Sequence, residues 1–126
     1  MRLIQTLSDA INRIINKIDK GDDDGAKALL KDTYALLGQK DIFFHTQGVE
    51  DIINFFKEKE DNYIDKIQML AKLLFEESRI ENDQGKKKEL LQKTKSLLEH
   101  YNSFSKEFSF EVQQQFSKVD QLLKQL

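Results

Sequence analysis

Residues 61–83, DNYIDKIQMLAKLLFEESRIEND, decide how this chain is read. Within them Met69-Leu70-Ala71-Lys72-Leu73-Leu74-Phe75 is apolar on nearly every side of a helix, whereas a surface helix carries a single apolar stripe. A segment of that kind must be enclosed by neighbours. It predicts a central helix over about Asp61 to Asp83, with the rest of the chain packed around it.

The flanking sequence supplies those neighbours. The 126 residues contain no proline, the residue that stops helices most effectively. From Arg2 to Lys20, Ile4, Leu7, Ile11, Ile14 and Ile18 recur at steps of three and four, and Leu3 and Ile15 widen the stripe. Gly21 ends that helix. Asp22 to Asp24 supply cap oxygens and negative charge to the next, which turns Ala26, Leu29, Leu30, Thr33 and Leu37 inward and stops at Gly38.

Gln39 to Gly48 shows no clean period and is expected to be a long connection, pinned by Ile42, Phe43 and Phe44. A short helix follows from about Val49 to Lys57, with Ile52, Ile53, Phe55 and Phe56. After the central helix, Gln84-Gly85 is expected to break the chain. The fifth helix, about Lys86 to Asn102, faces Leu90, Leu91, Leu97, Leu98 and Tyr101 inward. Phe104, Phe108 and Phe110 lie in or beside a serine-rich connection, with Ser109 as a cap. Val112, Phe116, Val119, Leu123 and Leu126 line the last helix. The expected fold is all-α, with five to six helices in a single domain over residues 1–126.

Composition excludes several functions. A net charge of −2 lacks the basic excess of a nucleic-acid binder. The absence of cysteine removes disulfides, thiolate nucleophiles and zinc-thiolate sites. No segment approaches the roughly 20 apolar residues that span a bilayer. The absence of cysteine leaves the redox compartment open, with a cytoplasmic protein the simplest reading; Met1 to Asp9 is interrupted by polar residues too early for a secretory apolar core.

Gly21 and Gly85 each stand between two long helical segments, and each is followed five residues later by an apolar residue, Ala26 or Leu90. A turn glycine at that distance from the second helix is part of the tetratricopeptide pattern. Ser78 takes the small position on the first helix of the second pair. The diagnostic Trp and the terminal Pro are missing, and Thr94 stands where an aromatic is usual. Met1-Arg2-Leu3-Ile4-Gln5, Ala35-Leu36-Leu37-Gly38, Leu70-Ala71-Lys72-Leu73-Leu74 and Gln84-Gly85 occur in this order. Together they resemble a family of small uncharacterised bacterial helical proteins. The resemblance implies a tetratricopeptide-like stack of antiparallel hairpins and brings no functional residues with it.

No catalytic, cofactor-binding or metal-binding residue is assigned. Lys20 to Gly25 matches part of a calcium loop, but Lys20 and Lys31 stand where the first and twelfth ligands should be carboxylates. Stability is accordingly expected to be indifferent to calcium, zinc or a chelator. His45 and His100 lack the Glu three residues earlier that a di-iron bundle requires. His100 is read as a cation at a helix end. Glu76, Glu77, Glu81 and Asp83, with Arg79 among them, are read as a solvated face. Lys86, Lys87 and Lys88, joined by Lys93 and Lys95, are read as a solubilising surface with no interleaved aromatic.

The function expected from these readings is non-enzymatic: a scaffold or interaction module that presents a groove to a protein or peptide partner, without cofactors, nucleic acid or membrane. The alternative is a structural homo-oligomer, a homodimer in the simplest case, that uses the C-terminal helix.

Overall fold

Among the described residues there are seven helices: α1 Arg2–Asp19, α2 Asp23–Leu36, α3 Asp41–Thr46, α4 Val49–Lys59, α5 Tyr63–Arg79, α6 Gln84–Phe104 and α7 Phe110–Gln125. The computed structural model describes residues 2–59 and 62–126, and no strand occurs among them. Helix α5 is the centre, touching α1, α2, α4 and α6. Ile67, Leu70, Ala71, Leu73 and Leu74 on it are fully buried, as the all-round apolar run requires.

The directions of the helices follow from their end contacts. Tyr63 at the start of α5 meets His100 near the end of α6, and Gln113 early in α7 bonds Asn102 late in α6, so both pairs are antiparallel. Helices α1 and α2, packed together across a three-residue link, form another antiparallel pair. Arg79 ends α5 and pairs with Asp19, which ends α1, so α1 and α5 run parallel.

The first joint has the expected chemistry. Gly21 sits at φ +78°, its N–H donates to Ile18 O, and the N–H of Asp22 donates to Lys17 O, the paired bonds of a Schellman ending. Asp22 then caps α2 by accepting from the Gly25 N–H, with Lys17 3.3 Å away; these donors hold its carboxyl below the usual range.

The second joint is not a glycine turn. Gly85 lies inside the first turn of α6 without positive φ, and α5 stops at Arg79 instead of reaching Asp83. Asp83 starts α6 two residues before the glycine by accepting from the Lys86 N–H at 3.0 Å. A strong N-cap has overridden a weak breaker. The two glycines therefore differ in their tolerance. Gly21→Val should cost about 1 kcal/mol or more in thermal melts, because a β-branched side chain resists the left-handed region. Gly85→Ala should melt close to wild type, because the gain in helix propensity is offset by a Cβ 3.2 Å from Asp83 Oδ1, the capping oxygen, which must give by a few tenths of an ångström.

Two further expectations change. Residues 41–46 form a helix, α3, where the sequence shows no period, which raises the count to seven. Phe44 in it is fully buried and Phe43 packs against the core, but Ile42 is 63% exposed and anchors nothing. The predicted start of the central helix at Asp61 lies outside the described residues. On α7, Val112 and Val119 are buried and Phe116 and Leu123 pack on the core, while Leu126 is exposed. Among the described residues, no helix is long and apolar enough to cross a membrane.

Candidate functional site

The principal polar constellation joins four helices. Tyr34 of α2 is buried one turn beyond Leu30, and its hydroxyl donates to Glu77 Oε1 of α5 at 2.5 Å. His45 of α3 places Nε2 2.8 Å from the same oxygen. Because that oxygen accepts, His45 Nε2 carries a proton. From α6, Lys93 directs its ammonium at the end of α3 and donates to the carbonyls of Phe44, His45 and Gln47, each at 2.9 Å. Three donors meet three acceptors. A cation on the last carbonyls of a helix is also favoured by its dipole.

The titration of His45, Tyr34 and Lys93 follows from these neighbours. The Glu77 hydrogen bond raises the His45 pKa above its ordinary value against the opposing effect of burial; Asp41 adds to the rise and Lys93 opposes it. Burial, then the Glu77 charge, pushes the Tyr34 hydroxyl well above a normal phenol. Burial pulls the Lys93 ammonium down.

The cluster forms the floor of two adjoining clefts of about 390 and 360 Å³, which share His45, Glu77 and Glu81. On the α6 side the first is walled by Lys86, Glu89, Leu90 and Lys93, and on the α2 side the second is walled by Lys27, Leu30 and Lys31. The Thr46 hydroxyl is spent on Ile42 O, and the Lys93 amine on its three carbonyls. What remains for a ligand is a set of rim charges over an apolar and hydrogen-bonded floor.

Several residues differ from their sequence reading. Glu76 is buried and accepts from Arg79, whose other nitrogen reaches Asp19; Glu77 organises the cluster. They are not a solvated face. Lys93 and Lys95 leave the Lys86–Lys88 surface, since Lys93 caps α3 and Lys95 pairs with Asp120 of α7 at 2.9 Å. His100 is not an end cation: burial, then Lys57, lowers its pKa, and its ring lies between Tyr63 and Phe104. Asp22 of the calcium-like loop is the α2 cap, and no group of three or more metal-ligating side chains occurs among the described residues. The sequence reading passed over Tyr34, although it lies four residues after Leu30 and three before Leu37, a legible inward position.

The two histidines should titrate in opposite directions. His45 should show a midpoint above about 6.5 and His100 one below it, read from their ring resonances. A raised folded-state value means that the stability His45 contributes is fully present below the unfolded value and fades as pH rises through the folded one. The lowered value of His100 has the opposite sense, with stability lost as pH falls through about 6.5. Glu77→Gln should return the His45 midpoint toward 6.5 and leave His100 unmoved.

The chain matches no protein-family model, and no curated protein or solved structure matches it.

Proposed function

We propose that this protein is a non-enzymatic interaction module, and that the cleft between α2, α3, α5 and α6 receives a segment of a protein or peptide partner. The observation that carries this reading is the division of labour within the cleft. Its floor is fixed by hydrogen bonds from four helices, while Lys27, Lys31, Lys86, Glu81 and Glu89 stand around it with no ion pair to one another. Glu81 spends one oxygen on the Asp83 N–H at 3.2 Å; a rigid floor under rim charges of both signs that do not pair with one another suits recognition of a chain carrying both signs, and rim charges of this kind set orientation and partner choice. A tetratricopeptide-like stack agrees with the antiparallel α1–α2 and α5–α6 pairs and the parallel course of α1 and α5, with α3 and α4 inserted between the hairpins. Membership of the bacterial helical family and a cytoplasmic setting belong to the same proposal.

A peptide-display selection tests it. Wild-type protein should enrich peptides of mixed charge that bind at micromolar strength and shift the His45 ring resonances. Reversal of Glu81 and Glu89 to Lys should weaken them at least tenfold. Failure to enrich binders, or binders that leave His45 and both variants unaffected, would contradict the reading.

A further inference from the structure

Another cleft, of about 290 Å³, lies between α1, α5 and α7 and shares no residue with the cleft of α2, α3, α5 and α6. Ile11 and Ile15 of α1 and Phe75 of α5 give it apolar walls, and Gln115 and Lys118 line it from α7. Ile11 and Phe75 are buried, and Ile15 is the most open of the three.

Two features of α7 set this cleft apart from an ordinary groove between helices. Gln115 Oε1 is shut off from solvent, and no donor reaches it; among the described residues it is the one buried side-chain polar atom left so. A buried acceptor without a donor has lost its hydration and gained nothing in exchange. The other feature is Lys118, whose ammonium lies 5.6 Å from the centre of the Phe75 ring. The remaining charges of the walls cancel in pairs, Lys72 with Glu111 and Glu76 with Arg79, whereas Lys118 has no carboxylate partner among the described residues. The cleft therefore combines an apolar surface, one unmet acceptor and one uncompensated cation.

We propose that this cleft binds a small aromatic acid that carries an O–H or N–H donor across the ring from its carboxylate. The ring lies on Ile11 and Ile15 beside Phe75, the carboxylate meets the Lys118 ammonium, and the donor meets Gln115 Oε1. Gln115 and Lys118 are three residues apart on one helix, which sets their Cβ atoms about 5–6 Å apart on the same side, the span of a single ring. The terminal torsion of a glutamine is soft, so the carboxamide turns toward the donor at little cost, and no existing hydrogen bond is given up. The volume suits one ring and excludes larger ligands. A hydrocarbon would leave the Gln115 oxygen unpaired, and a cationic amine would meet the Lys118 charge, so neither fits.

Titration of the full chain with 4-hydroxybenzoate, followed by its side-chain resonances, tests the assignment. The probe should shift the Gln115 amide and the Ile11 and Ile15 methyls with a dissociation constant of about 1 mM or below, as roughly ten non-hydrogen atoms allow. Benzoate, which lacks the donor, and 4-hydroxybenzamide, which lacks the acid, should each bind about fivefold more weakly. Gln115→Leu should abolish the advantage of 4-hydroxybenzoate over benzoate, and Lys118→Gln its advantage over 4-hydroxybenzamide. Gln115→Leu should melt no lower than wild type, because it removes an unpaired buried acceptor, so a lost advantage is not a lost fold. No shift at Gln115 up to about 20 mM probe would mean that water alone meets this oxygen, and would overturn the proposal. Shifts confined to His45, or advantages that survive both variants, would overturn it as well.

Discussion

Phe44→Ala should lower the stability of the protein by about 4 kcal/mol, the cost of emptying a fully buried aromatic site. The Phe44 ring stacks on Tyr34 with centroids 5.5 Å apart and on Phe56 at 6.0 Å, and meets Phe43 edge-on at 5.2 Å. It is the apolar anchor by which a six-residue helix, too short to be stable alone, is held to the core. Neighbouring rings cannot close the void without moving α2 and α4. Urea denaturation should show the loss as a lower midpoint with little change in slope. Phe43→Ala, at a half-buried position, should cost clearly less, and equal costs would mean that the wrong ring has been assigned to the core.

The second large effect belongs to Lys93. Lys93→Met keeps the aliphatic length but removes all three donors to Phe44, His45 and Gln47, and should cost about 3 kcal/mol. That corresponds to a fall of about 10 °C in the melting temperature for a chain of this size. Lys93→Arg should not restore wild-type stability, because a planar guanidinium cannot point three donors at carbonyls gathered around one atom. By contrast, Lys88→Met, at an exposed position of the basic triplet, should change stability by less than about 0.5 kcal/mol. If the two lysines behaved alike, the capping role of Lys93 would be wrong.

The contrast between those lysines shows how far the sequence could be read. Local periodicity revealed α5 as the central helix, because seven nearly continuous apolar residues need no knowledge of partners. It also identified Gly21, Asp22 and Ser109, whose roles depend on bonds to residues within a few positions of themselves. The α3 segment was illegible because six residues span less than two turns and carry no measurable period. Its helix depends on Phe44 finding a distant pocket and on a cation 49 residues away. Glu77 and Lys93 resemble ordinary surface charges in sequence; only the fold brings Tyr34, 43 residues before Glu77, onto its carboxylate. Gly85 misled for the opposite reason, since a nearby aspartate supplied a stronger helix start than the glycine could interrupt.

Helix α3 is a docked element, held by Phe44, the His45–Glu77 pair and Lys93, and it thereby builds the floor of the cleft. Native-state hydrogen exchange at residues 43–47 tests this most directly, since free connections exchange near the unfolded rate and docked elements do not. The Gln47 N–H, bonded to Phe43 O at 3.0 Å, should exchange at least a hundredfold slower than an unstructured amide in wild type, and lose most of that protection in Lys93→Met. Exchange at the unstructured rate in wild type, or protection unaffected by removal of the Lys93 ammonium, would contradict the account.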